Sequence, residues 1–165
     1  MNTALNFEDD LILGIRNKTG FQQLEVIKIN AHKDCSSVLA MLVLKHDSRV
    51  DLLCRQNHSI LAKLVAQELG ISQHQVGMHL SSQCINGAKC CQAIQFLSAI
   101  TRCLLTRSAA HIWNISPAEC TLRAGKVRQL SKDFSFELGE LIGMAKELDI
   151  PQHAELRYQF EGLEI

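Results

Sequence analysis

Ser37-Val38-Leu39-Ala40-Met41-Leu42-Val43-Leu44 is apolar without a break after its first residue. A strand covered on both faces reads this way, because neither side of the pleat then needs polar residues. Periodicity alone leaves a buried helix open. The chain downstream favours the strand. His46-Asp47-Ser48 has turn composition, and Val50-Asp51-Leu52-Leu53-Cys54 returns antiparallel to complete a hairpin. Asn57 to Leu69 then switches to helical spacing, with Ile60, Leu61, Leu64, Val65 and Leu69 on one face. Asn57 or Ser59 supplies an N-cap, and Gly70 stands at C′.

Outward from this centre the pattern stays mixed. Upstream, Leu24 to Asn30 alternates and is rich in β-formers, so it predicts a strand, while residues 1–20 read as a leader. Downstream, Ser72-Gln73-His74-Gln75 has capping-box spacing for one short turn, and Val76 to Leu80 reads as a strand. Ala88 to Trp113 predicts a long helix, with Cys91, Ile94, Phe96, Leu97, Ile100, Leu104 and Ala109 on a broad apolar face. Ser116-Pro117-Ala118-Glu119 has the Ser, Pro and Glu of a helix start. Cys120 to Leu130 predicts a hairpin turning at Ala124-Gly125, and Ser135 to Leu148 a third helix stopped by Pro151. Residues 152–165 read as a polar tail with a strand near Leu156 to Phe160. The expectation is one α+β domain over 21–151: a mixed sheet of five to seven short strands packed by three helices.

Composition limits the function. The 165 residues carry 17 Lys+Arg against 17 Asp+Glu, so no net charge steers the chain to nucleic acid or anionic lipid. Aromatics are 5%, too few for a base-stacking platform. With 47% hydrophobic residues and only 2 Pro, the chain has the material for a packed core. No apolar run is long enough to span a membrane. Seven cysteines cannot all pair within one chain, and residues 1–18 lack the pattern of a signal peptide. Free thiols in the cytoplasm are expected.

Three blocks in order carry a family resemblance. Ile112-Trp113-Asn114-Ile115-Ser116-Pro117-Ala118-Glu119-Cys120 with Gly125 and Val127 is similar to W-N-V-P-x-x-E-C-x-V-x-x-G-x-V. Leu138-Gly139-Glu140-Leu141, running to Ile150-Pro151, is similar to Y-G-E-L-A…P-V-P. His58-Ser59-Ile60-Leu61-Ala62-Lys63-Leu64-Val65-Ala66-Gln67-Glu68-Leu69-Gly70-Ile71 is similar to H-T-x-L-A-Q-I-V-A-E-E-L-G-I. These patterns belong to the molybdopterin-binding subunits of the xanthine dehydrogenase and aldehyde oxidase family, with the isoquinoline 1-oxidoreductase-like branch nearest. The resemblance runs from about Leu44 to Pro151 and implies a short, divergent piece of one half of a molybdopterin-binding domain.

What it implies for function follows residue by residue. The cofactor would be molybdopterin, with His58, Ser59, Asn86 and Gly87 at the matching contact positions and Gln56, one place later than the family's glutamine, as a further contact. Partners would be other pieces of a molybdenum oxidoreductase or an iron–sulfur subunit, and a homodimer through the long helix would cover its apolar face. The departures are equally specific. The family's G-Q-G is Cys54-Arg55-Gln56 here, without either glycine. The family's polar G-D-T loop is reduced to Ser81-Ser82-Gln83-Cys84-Ile85. Its catalytic glutamate segment has no match, and no cysteine spacing fits an iron–sulfur cluster. A divergent, truncated domain inactive on its own is expected. The alternative is a non-catalytic binding or assembly protein that keeps only the scaffold.

Other constellations read as structure. Cys84, Cys90 and Cys91 with His74 and His79 lack two close metal-ligand pairs, since Cys90 and Cys91 point about 100° apart on a helix. Cys90 beside a helix start has no base fixed in reach, so an inert thiol is expected over a nucleophile. Cys120 is expected to pack under Trp113. Arg102, Arg107, Arg123, Lys126 and Arg128 read as a solvated face balanced by Glu137, Glu140 and Glu147.

Overall fold

The computed structural model describes residues 5–18, 23–35, 37–56, 59–82, 84 and 90–151. The class is α+β, as the patterning predicts. Five strands form a mixed sheet: β1 (Leu11–Asn17), β2 (Leu24–Lys28), β3 (Ala40–Leu44), β4 (Val50–Cys54) and β5 (Val76–Leu80), in the order β2-β1-β3-β4-β5. All neighbours are antiparallel except β4 and β5, which run parallel with α1 (Ser59–Leu69) between them. A second sheet holds β6 (Cys120–Arg123), β7 (Lys126–Gln129) and β8 (Ser135–Glu137). The long helix α2 (Cys90–Trp113) and the short α3 (Ile142–Glu147) complete the described elements. None of the helices among the described residues is long and apolar enough to cross a membrane.

The apolar run read as a doubly covered strand is one. Every residue of β3 is fully buried. Its alternate side chains feed two cores. Ala40, Leu42 and Leu44 join Leu13, Leu52, Leu64, Ile94 and Leu97 on the helical side, while Met41 and Val43 join Ile12, Ile29, Val38 and Leu53 on the other. Each such side chain contributes roughly 1.5–3 kcal/mol when fully buried. On α1, Leu61, Leu64, Val65 and Leu69 point inward as expected, whereas Ile60 stays exposed. On α2 the apolar face is already covered within the chain, by α1, β1, β3, α3 and β6. Buried Ser98, Thr101 and Ser108 satisfy their hydroxyls on the Ile94, Leu97 and Leu104 carbonyls one turn back.

Two stretches differ from their sequence reading. Leu11–Asn17, inside the segment read as a leader, is a strand in the middle of the sheet, paired with both β2 and β3. Ser135 to Leu148 is not one helix. It is β8, then a 3₁₀ turn at Leu138–Leu141, then α3. The strand near Leu156 to Phe160 lies outside the described residues.

The motifs that carry the resemblance do structural work here. Gly70 has φ +63°, and a Cβ there would lie 2.9 Å from the Leu122 carbonyl. Its own carbonyl accepts the Gly125 N–H at 2.8 Å, pinning the end of α1 to the β6–β7 turn. Asn114 ends α2 in the left-handed region at φ 57°, with Ile115 N–H bonded to the Ala110 carbonyl. Ser116 and Glu119 close a reciprocal capping box on a single 3₁₀ turn, Pro117–Glu119, rather than starting a helix. Gly139 donates its N–H to Ser48 Oγ at 2.9 Å and packs on the His46 carbonyl so closely that a Cβ would collide with it.

Candidate functional site

The carboxyl ends of β4 and β5 point the same way, and both β4 and β5 are followed by helices, α1 and α2. Ligands of α/β folds characteristically sit outside the carboxyl ends of parallel strands. Cys54, Gln56, Ser59, Leu80, Ser81, Cys84 and Cys90 converge on this region. His58, Asn86 and Gly87 lie outside the described residues, and of Ser59 only the helical backbone is described. Of the expected contacts, Gln56 is therefore the one whose side chain is placed. It lines a cleft of about 170 Å³ with Met78, His79 and Leu80.

The turn after β4 is closed by its own first side chain. Cys54 is completely buried, packs in the helical-side core with Cys90, and donates its thiol to the Gln56 carbonyl at 2.9 Å. Cys84 is buried in the opposite core beside Cys35, its thiol reaching the Leu53 carbonyl at 3.5 Å. Burial pushes the Cys84 and Cys90 thiols up to about 11, and it also raises Cys54. Burial favours the neutral thiol at each of these positions. Among the described residues no group of three or more His, Cys, Asp and Glu could hold a metal.

Sequence reading missed one pair. Asp51 lies in the middle of apolar β4 and is almost fully buried, with its Oδ1 3.1 Å from His79 Nε2 on β5. Their strands pair Asp51 with Gly77, and a Cβ on Gly77 would collide with the carboxylate. Glycine thus makes the space in which the pair forms. Asp51 holds the ring by one nitrogen and leaves the other to accept or donate. The available signal was the lone carboxylate in Val50-Asp51-Leu52-Leu53-Cys54, since such a charge must be partnered.

Of the basic cluster, Arg123 and Arg128 are exposed, as a solvated face requires. Arg102 is drawn inward to Glu68, 2.6 Å from its Oε2, and Lys126 pairs with Glu137 at 3.4 Å. Trp113 stacks on Phe136, with centroids 4.8 Å apart, and both Trp113 and Cys120 pack against the main core.

A pterin cofactor with its phosphate needs a concave site of at least about 300 Å³ and several convergent donors. The cleft falls short of that, and the thiols beside it are buried in the core rather than offered to a ligand. His58, Asn86 and Gly87 lie outside the described residues, and the cleft at Gln56 does not by itself supply such a site.

No protein-family model and no curated protein matches the chain. Among solved structures, quinoline 2-oxidoreductase from Pseudomonas putida 86 is similar in fold, with a TM-score of 0.50 and 13% sequence identity. The match covers 82% of this chain and 20% of that one, so the chain spans about a fifth of its structural neighbour.

Proposed function

We propose that this chain is a divergent domain of the molybdenum-hydroxylase type that keeps the scaffold, has given up the cofactor seat, and works by associating with protein rather than by redox chemistry. The observation that carries this reading is Cys54: where the family pattern has a glycine, a fully buried side chain closes the turn. Glycines at such a turn let backbone approach a ligand closely, and a packed thiol removes that approach. The fold likeness to an oxidoreductase and the motif resemblance support the ancestry, and the filled turn supports the loss. The whole neighbour's chemistry is not carried over to a chain one fifth of its length.

Cofactor analysis tests this directly. The chain, purified from cells that make molybdenum cofactor, is expected to contain neither molybdenum by elemental analysis nor pterin by fluorescence after oxidation. One molybdenum and one pterin per chain would overturn the reading and establish a cofactor-binding piece that needs partner chains.

A further inference from the structure

A scaffold that works by association needs a surface suited to it, and the outer edge of β5 supplies one. Among the described residues no strand pairs with this edge. Natural edge strands are blunted by charge, proline or a bulge. Val76-Gly77-Met78-His79-Leu80 has no Lys, Arg, Asp, Glu or Pro, and its ladder to β4 runs without a break. Leu80 is 62% exposed at its end.

The ladder fixes which groups face outward. Ser81 N–H bonds the Cys54 carbonyl at 2.9 Å, so residues 77, 79 and 81 turn their backbone groups toward β4. Val76, Met78 and Leu80 therefore turn theirs away. Two copies of this edge fit one another about a two-fold axis through Met78. Met78 meets Met78 through both backbone groups, and each Val76 carbonyl faces the other copy's Leu80 N–H, while the Val76 N–H is already bonded to the Gln73 carbonyl. Gly77 falls opposite the second copy's His79 and has no side chain to obstruct the ring. Asp51 leans over Gly77, so each incoming imidazole meets a carboxylate. Exposed Leu80 is covered by Val76.

We infer that the chain forms a homodimer by antiparallel pairing of β5 with β5 of a second copy, making one continuous sheet across the two-fold axis. Such an interface is isologous, as closed dimers require. The assignment deepens the scaffold reading by naming its partner, and it is measured by mass, independently of cofactor content.

Light scattering after size exclusion, over a range of concentrations, tests it. The full chain is expected at twice its 18.4 kDa. Met78→Pro removes an outward N–H that bonds nothing within the sheet, a substitution edge strands tolerate. Leu80→Lys places a charge at an already exposed position. Both variants are expected to halve the mass and to keep the circular dichroism of the folded chain. Wild-type chain monomeric at every concentration would overturn the inference, including the case where another polypeptide or the chain's own C-terminal segment covers the edge. A dimer that survives both substitutions would overturn it too, by placing the contact elsewhere.

Discussion

Cys54, Cys84 and Cys90 show how burial sets the chemistry of a thiol. Their thiols are raised because burial penalises the thiolate, with Cys84 and Cys90 near 11. The unfolded chain loses these protons near the ordinary thiol value, while the folded chain holds them. Stability from this source is thus complete below about pH 8.5 and falls as pH rises toward 11. Denaturant titrations at stepped pH should show that decline, and a flat profile from pH 8 to 10.5 would contradict the burial of these thiols. Ala124 offers a prediction of opposite sign. It stands at φ 54° beside Gly125 at φ 76°, a pair of left-handed residues that favours Asn-Gly or Gly-Gly. Ala124→Gly should raise stability by about 1 kcal/mol, because a Cβ is strained in that region. An unchanged denaturation midpoint would mean that the turn already relaxes the strain. Residues such as Gly70, Asn114 and Gly139 were legible as motif letters, but not as contacts. Their reasons lie on the Leu122 carbonyl, the Ala110 carbonyl and the His46 carbonyl, far from them in sequence or hidden in backbone conformation.

Among the elements, β3 was legible because burial on both faces leaves an unbroken apolar run, and α2 because its broad apolar face repeats at helical spacing. β1 was not, although Leu11, Ile12, Leu13 and Ile15 are as deeply buried. Its apolar run is short and interrupted by Gly14, whose missing Cβ leaves room for Ile29 and Val38 in the core above it. Three acidic residues stand immediately before it, and of these Asp10 is buried and paired with Lys45 at 3.3 Å. The 135–148 stretch misled for the opposite reason. Its helical spacing is real, but β7 captures Ser135–Glu137 as a third strand before the helix can begin. Between α1 and α2 the decisive contact is ionic. Glu68 has no exposed surface, and it binds Arg102 at 2.6 Å and accepts Gln95 Nε2 at 3.2 Å. Arg102→Met removes the guanidinium 2.6 Å from that buried carboxylate and should cost about 3–5 kcal/mol. Glu68→Gln in the same background removes the buried charge and should restore part of the loss. A double-mutant cycle in urea reads both, and a loss under 1 kcal/mol for Arg102→Met would show that the carboxylate finds other compensation.

At the scale of the whole molecule, the two sheets are held together by the chain's own return. Lys146 Nζ reaches the Phe7 carbonyl at 3.1 Å and the Glu8 carbonyl at 2.5 Å, ahead of β1. Lys28 Nζ binds the carbonyls of Lys146 and Leu148. Gly139 sits on the β3–β4 turn, bonded to Ser48 and pressed against His46. The 3₁₀ turn after β8 and α3 therefore lock the approach to the first strand and the central hairpin. Such coupling predicts one cooperative transition. It also predicts that Gly139→Ala, which must displace backbone rather than a flexible side chain, lowers global stability by about 1–3 kcal/mol. Both consequences are read from a single set of urea curves, followed by far-ultraviolet dichroism and by Trp113 fluorescence. Trp113 reports from the junction of α2 with the second sheet, where it stacks on Phe136. Coincident curves that shift together in Gly139→Ala place the small sheet inside the cooperative unit. If fluorescence moved while dichroism did not, the β6–β8 sheet would be an appendage, and the motif glycine would matter only locally.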